Sequence, residues 1–172
     1  LTATSAYLKQ WGNPGTPTAP NHAWYAENII SVPLPWAMVN AMNPTGPMIT
    51  HTLFHKDAAP HLPLAMTDVW ETATKECAKG QDTRTLIHAI GGDLWCGSYN
   101  LRFVRGYEAQ GILSPHAYGI ALDIDPAHNP MGNPLRTTFP AWWVAAWKRH
   151  GFLWGGDYHG RKDPMHYEVQ TR

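Results

Sequence analysis

The sequence predicts an α+β fold, with a small antiparallel sheet packed against helices in a single domain spanning residues 1–172. Three observations carry this expectation. One helix-period stretch stops near Gly80, a second stops at Gly151, and short apolar runs bounded by glycine and turn residues lie between and after them.

The elements follow in order. Residues 1–35 are rich in Pro, Gly, Asn and Thr, including Asn13-Pro14-Gly15 and Pro17-Thr18-Ala19-Pro20. They predict a short helix around 5–10, then ordered coil wrapping the domain. The first long helix is expected over about 62–78, with Leu64, Val69 and Ala73 sharing a buried face and Gly80 capping it. Leu86-Ile87-His88-Ala89-Ile90 and residues 93–104 read as strands, divided by a turn or bulge at Gly91-Gly92. Residues 120–124 read as another strand.

The clearest helix runs over 138–150. Thr138 is placed to cap it, Pro140 suits its first turn, and Trp143 and Trp147 lie one turn apart. Lys148, Arg149 and His150 meet the negative end of its dipole before Gly151 stops it. A last strand covers 165–169.

Composition narrows the function classes. Hydrophobic residues make up 44% and charged residues 15%, so a core can form and disorder is not expected. The formal net charge is zero, against the basic surplus of nucleic-acid binders and without a polybasic patch for a membrane surface. No apolar run approaches the ~20 residues of a spanning helix, so membrane insertion is not expected. Leu1 to Ala6 show no basic-then-apolar leader. Cys77 and Cys96 are too few for a disulfide framework and read as two buried thiols or a single bridge. Ten histidines and nine tryptophans stand out, as metal ligands and substrate-lining rings or as ordinary core.

The chemistry concentrates in two segments. In Ser114-Pro115-His116-Ala117-Tyr118-Gly119-Ile120-Ala121-Leu122-Asp123, His116 and Asp123 would face opposite sides of a regular strand. A bend at Gly119 is needed to bring them together. Asp123 sits among Ile, Ala and Leu, where a carboxylate must be paired or hold a metal. In Asp163-Pro164-Met165-His166-Tyr167-Glu168, His166 and Glu168 alternate onto one face and Asp163 occupies the turn before them. Two histidines and a carboxylate, with a fourth position left to water, form a catalytic zinc shell. Asp163 is then positioned as the base.

His116-x-x-Gly119-x-Ala121-x-Asp123, then Gly151-Phe152-Leu153-Trp154-Gly155-Gly156, then Asp163-Pro164-Met165-His166-Tyr167-Glu168 closely resemble one group of zinc peptidases. These are the D-alanyl-D-alanine carboxypeptidases and dipeptidases, vancomycin-resistance enzymes among them, and the L-alanyl-D-glutamate endopeptidases of phage lysins. The resemblance covers about 97–168 and implies a motif-bearing catalytic core there. It implies one Zn2+ ion on His116, Asp123 and His166, with Asp163 as general base. An arginine preceding the motif anchors substrate or the oxyanion in that family. Arg102 is favoured for it here, with Arg105 as the substitute. Tyr118 and Trp154 are candidates for substrate contact, and Ser114 and Glu168 for orienting His116 and His166. Asp157 and Tyr158 lie on the loop before Asp163 within reach of substrate.

Asp at position 163 and the Trp-Gly-Gly segment ahead of it resemble the phage-type endopeptidases, where many carboxypeptidases carry Glu. The resemblance therefore implies a peptidoglycan endopeptidase of lysin character, acting as a monomer on cell-wall peptides in the periplasm or outside the cell. The alternatives are a D-alanyl-D-alanine carboxypeptidase or dipeptidase, and a non-catalytic wall-binding or phage-structural protein of the same fold.

Other residues take plainer readings. His51 and His55 have helical i, i+4 spacing but lack the glutamate of an HExxH motif. His22, His61, His88, His128, His150 and His159 read as structural or surface groups, Trp143 and Trp147 as core, and Asp93 and Asp125 as turn or surface carboxylates.

Overall fold

In the computed structural model, which describes residues 3–172, helices and strands gather about one apolar core. Helix α1 (Ala3–Trp11) leads into a hairpin of β1 (Gly15–Thr16) and β2 (Ala19–Pro20), then α2 (His22–Asn28). Strands β3 (Ile29–Asn40) and β4 (Ile49–His55) precede α3 (His61–Glu76), α4 (Thr83–Ala89) and β5 (Leu94–Trp95). A 3-10 turn (Pro115–Tyr118), β6 (Ala121–Asp123), α5 (Ala141–Arg149), β7 (Phe152–Trp154), a second 3-10 turn (Gly155–Asp157) and β8 (His166–Val169) complete the chain. The α+β expectation holds.

Two three-stranded sheets carry the architecture, in the orders β4-β3-β5 and β6-β8-β7. The second is antiparallel throughout; in the first, β3 pairs antiparallel with β4 and parallel with β5. An isolated bridge between Trp95 and Ile124 joins the two sheets.

Helix α3 buries Leu62, Ala65, Met66, Val69 and Ala73, a face of 3.6-residue period. Leu64, expected on that face, is 58% exposed. It lies five residues before Val69, which at 100° per residue turns it well away from the core. The helix ends at Glu76, where the Cys77 N–H closes onto the Ala73 carbonyl, so Gly80 sits in the following turn and does not cap it.

The expected strand at 86–90 is a helix instead. Asp82 caps α4 by accepting the Thr85 N–H at 3.0 Å, and Ile87 then faces the core. That cap decides the local structure. Of residues 93–104 only Leu94–Trp95 form a strand, with Phe103 bridged singly to Leu113. Residues 11–35, expected as coil, contain the first hairpin, α2 and the start of β3.

Helix α5 packs against β8: Trp143 is fully buried and donates its indole N–H to Tyr167 Oη at 3.1 Å. The Trp143 and Trp147 rings meet edge-on with centroids 6.1 Å apart. Pro140, not Thr138, occupies the cap position, and the Thr138 hydroxyl donates to the Ile90 carbonyl. The end of α5 is clamped to α3, where Arg149 and His150 both reach the Asp68 carboxylate. Cys77 and Cys96 are free thiols. No helix among the described residues is long and apolar enough to cross a membrane.

Candidate metal centre

The turn that carries His116 is built locally. Ser114 caps it, accepting the His116 N–H at 3.3 Å, and Gly119 ends it at φ 71°. A Cβ at Gly119 would lie 2.9 Å from the His55 backbone nitrogen, so this position requires glycine twice over. The bend expected at Gly119 is therefore a 3-10 turn, and it delivers the chain directly into β6. His116 donates its Nδ1–H to the Ser98 carbonyl at 2.7 Å, which leaves Nε2 facing inward. The Ser98 carbonyl thus meets the ring, while the Ser114 hydroxyl meets the His116 backbone.

Pairing of β6 with β8 sets Asp123 directly opposite His166. His116 Nε2 lies 3.2 Å from Asp123 Oδ2 and 3.2 Å from His166 Nδ1, and His166 Nδ1 lies 3.3 Å from Asp123 Oδ1. For zinc bonds of about 2.0–2.1 Å, the edges of a tetrahedron are about 3.3–3.4 Å. Each imidazole thus faces a different oxygen of Asp123 at close to a ligand-to-ligand separation, and together the three residues form a group that could hold a metal ion.

The surrounding field agrees with the geometry. Burial opposes a charged His166 ring, but hydrogen bonding and charge from Asp123 and Glu168 outweigh it and push the imidazole up to about 10. Burial likewise opposes an ionised Asp123, yet His116 and His166 hold its carboxyl well below the usual range. The site stabilises a positive charge among these donors.

Behind His166 stands Glu168, whose Oε1 lies 3.5 Å from Nε2. Glu168 is 4% exposed and accepts the Tyr7 hydroxyl at 2.8 Å and the Tyr158 hydroxyl at 2.5 Å. Burial raises its pKa, but His166, Tyr158 and Tyr7 reverse that and keep it lowered. The expected placement of Glu168 beside His166 is thus met. Tyr7 was not visible from the motif, since 161 residues separate it from its partner.

A cavity of about 310 Å³ opens beside these donors, lined by Asp123 and His166 together with Asp163, Arg102, Arg105, Tyr158 and Arg161. Burial raises the Asp163 pKa, His166 lowers it, and the Asp123 charge raises it further. Its Oδ1 is buried without a hydrogen-bond partner. Gly155 accepts the Asp163 N–H at 2.9 Å, and a Cβ on Gly155 would lie 2.2 Å from the Asp163 carbonyl oxygen. Burial lowers the Arg102 pKa while Asp123 and, more weakly, Asp163 act against that. Both candidate arginines line the cavity, as does Arg161, which the sequence reading passed over.

Two candidates fall elsewhere. Tyr118 is fully buried against Tyr7, with ring centroids 5.3 Å apart, because the 3-10 turn that points His116 to the donors points Tyr118 into the core. Trp154 donates its indole N–H to the Pro164 carbonyl at 2.7 Å and props the Asp163 turn from outside the cavity. Tyr158 lines the cavity, whereas Asp157 pairs with Lys148. His51 and His55 lie on β4, not on a helix, and His55 is buried beside Trp11. Asp93 and Asp125, expected as turn or surface carboxylates, are 1% and 2% exposed, and Asp93 lies in a turn.

An α+β domain presenting two imidazoles and a carboxylate this close together, beside a cavity lined by Asp163 and arginines, has the make-up of a candidate mononuclear metal centre. A family model described as D-alanyl-D-alanine carboxypeptidase matches residues 108–169, so the resemblance to that family of zinc peptidases is borne out over this stretch. The match takes in His116, Asp123, Asp163, His166 and Glu168 and leaves Arg102 and Arg105 outside it. No solved structure matches the chain.

Proposed function

We propose that the protein is a zinc-dependent peptidase that hydrolyses cell-wall peptides, as an endopeptidase of the L-alanyl-D-glutamate type and of lysin character. The observation that carries this reading is the group of His116, Asp123 and His166, in which His116 Nε2 lies 3.2 Å from His166 Nδ1 and the two rings face the two oxygens of Asp123 at 3.2 and 3.3 Å, with Asp123 and His166 sharing a cavity with Asp163 and Arg102. Zinc held by these three residues supplies, when bound, a Lewis acid and a water whose pKa falls to about 7.

The chain's own residues do the rest. Asp163, with its pKa raised and Oδ1 unpartnered, accepts the proton of the attacking water and returns it to the departing amine nitrogen. Arg102 supplies fixed positive charge for the oxygen that becomes negative at the scissile carbonyl. Ser98 and Glu168 hold the two imidazoles in orientation, and Tyr158 steadies Glu168 from the cavity side.

The endopeptidase assignment rests on Asp163 and the segment ahead of it acting as one unit. Trp154 grips the carbonyl of Pro164, and Gly155 leaves room for the backbone of Asp163. These are the residues in which the sequence resembles the phage-type enzymes. A carboxypeptidase is the second reading, favoured by three arginines lining a cavity where a single terminal carboxylate needs an anchor.

Mass spectrometry of soluble products from purified peptidoglycan, with and without chelator, separates them. A freed D-glutamate amine appearing only without chelator is the expected result. Release of D-alanine alone moves the assignment to carboxypeptidase. No product from several wall types, with zinc confirmed in the protein, refutes both.

A further inference from the structure

We propose that Arg161 is a specificity-determining residue whose guanidinium takes a carboxylate of the peptide substrate; this deepens the peptidase reading, on which it rests, by naming the substrate as anionic. The guanidinium groups of Arg102, Arg105 and Arg161 line the cavity beside Asp123 and Asp163. Attack on one amide develops one negative oxygen, and Arg102, on which the charges of Asp123 and Asp163 both act, is the cation placed for it. A guanidinium is a fixed positive charge, so an uncharged peptide would leave Arg105 and Arg161 unmatched. A cleft lined by one sign of charge concentrates ligands of the other.

Of these two, Arg161 is the one whose head group is held in place. Its Nη2 donates to the Arg105 carbonyl at 2.5 Å, and its guanidinium carbon lies 5.9 Å from the centre of the Tyr107 ring. A Cβ on Gly106 would stand 3.2 Å from Nη1, so the residue between Arg105 and Tyr107 leaves the guanidinium room to lie across the chain. The Arg161 loop is fixed from its other side, where the Gly132 N–H donates to the Lys162 carbonyl at 2.8 Å and Asn133 Nδ2 to the Gly160 carbonyl at 3.3 Å.

Among the described residues no carboxylate forms an ion pair with Arg161. Its charge acts on the exposed Glu108, but Glu108 Oε2 accepts the Gly106 N–H at 2.8 Å. A guanidinium carries several N–H donors in a rigid fork, so donors remain for a carboxylate. A head group already oriented also loses less freedom on binding one. A stem peptide offers this chemistry from two sources, the free α-carboxylate of a γ-linked D-glutamate and the carboxylate at the chain end.

The test uses soluble stem peptides in a matched set: the acid, the carboxamide at the D-glutamate α position, and the carboxamide at the chain end. Values of kcat/KM are measured on each for zinc-loaded parent, Arg161→Gln and Arg161→Lys. The parent is expected to prefer the acid over one of the carboxamides by about tenfold, the lower end for a hydrogen bond to a charged group at an exposed position. Arg161→Gln should bring that ratio to within about twofold, and Arg161→Lys, which keeps the charge without the fork, should restore part of it. The ratio that collapses identifies the carboxylate. A strut with no ligand would slow acid and carboxamide alike, so equal ratios in parent and Arg161→Gln overturn the proposal. Calorimetric Kd values for the same peptides on Asp163→Asn protein, with and without Arg161→Gln, give the ratios without turnover. Acid-selective binding that depends on Arg161, in a parent that cleaves none of the peptides, refutes the peptidase reading and supports the Arg161 assignment. Absence of binding to any of them overturns the assignment.

Discussion

Replacement of Tyr7 by Phe tests whether the N-terminal helix supports the metal centre. The hydroxyl is within 2.8 Å of Glu168 Oε2, and Glu168 is 4% exposed. A hydrogen bond to a charged group contributes about 1.5–3 kcal/mol, and its loss leaves a buried carboxylate oxygen short of a donor. A destabilisation of about 2 kcal/mol follows, which for a domain of this size lowers Tm by about 4–8 °C. Glu168 also stands 3.5 Å from His166 Nε2, so loosening it weakens zinc binding by about tenfold or more.

The pH dependence has a definite sign. The Glu168 pKa is lowered in the folded protein, so its stabilisation is present above the unfolded carboxyl's pKa of about 4.3 and is lost as pH falls through the folded value. The Tyr7→Phe deficit is therefore greatest near neutrality and shrinks in acid. Urea titration across pH and competition with a calibrated chelator measure both effects. A stability loss under about 0.5 kcal/mol together with unchanged zinc affinity would sink the reasoning.

Other expectations follow from the same distances. Asp163→Asn should reduce turnover by about 10²- to 10⁴-fold in a peptide assay. Because burial raises the Asp163 pKa, the ionised group weakens the fold above that value; in chelated protein the variant should melt higher than the parent at neutral pH and equally in acid. Gly155→Ala drives a methyl toward the Asp163 carbonyl and should lower kcat more than it lowers Tm, as kinetics beside thermal melts will show. Asp68→Asn removes the carboxylate that Arg149 and His150 share and should destabilise by about 1 kcal/mol at neutral pH. Arg149 holds the Asp68 pKa down, so that deficit must narrow as acid protonates the parent's Asp68. Trp143→Ala opens the core beneath β8 and should cost about 3–5 kcal/mol in urea unfolding.

The sequence made the candidate metal donors legible because their order and flanking residues lie in two short segments. Their separations in space depend on a cross-strand pairing and a 3-10 turn. Long periodic helices were also readable: α5 begins and ends within three residues of expectation. Three kinds of detail were not. An Asp82 cap converts the apolar run 86–90 into helix, and periodicity over so short a run does not separate the two states. Tyr7 and Ser98 act through tertiary contacts with no local spacing to announce them. Tyr118 stands two residues from His116, yet the tight turn sends its ring into the core while His116 faces the donors.

The antiparallel register sets Asp123 against His166 across a single rung, although forty-two residues of chain separate the two positions. The donor pair is therefore fixed by strand pairing alone, while Met131, Tyr158, Gly160 and Arg161 on the intervening chain line the cavity. Substitutions at Met131, Gly160 and Arg161 can reshape the cavity without moving the donors, whereas Asp163 and Tyr158, on the same stretch, tie it to the centre. The donor pair and most of the cavity wall can in this way vary separately, and Asp163 is the point at which they are joined.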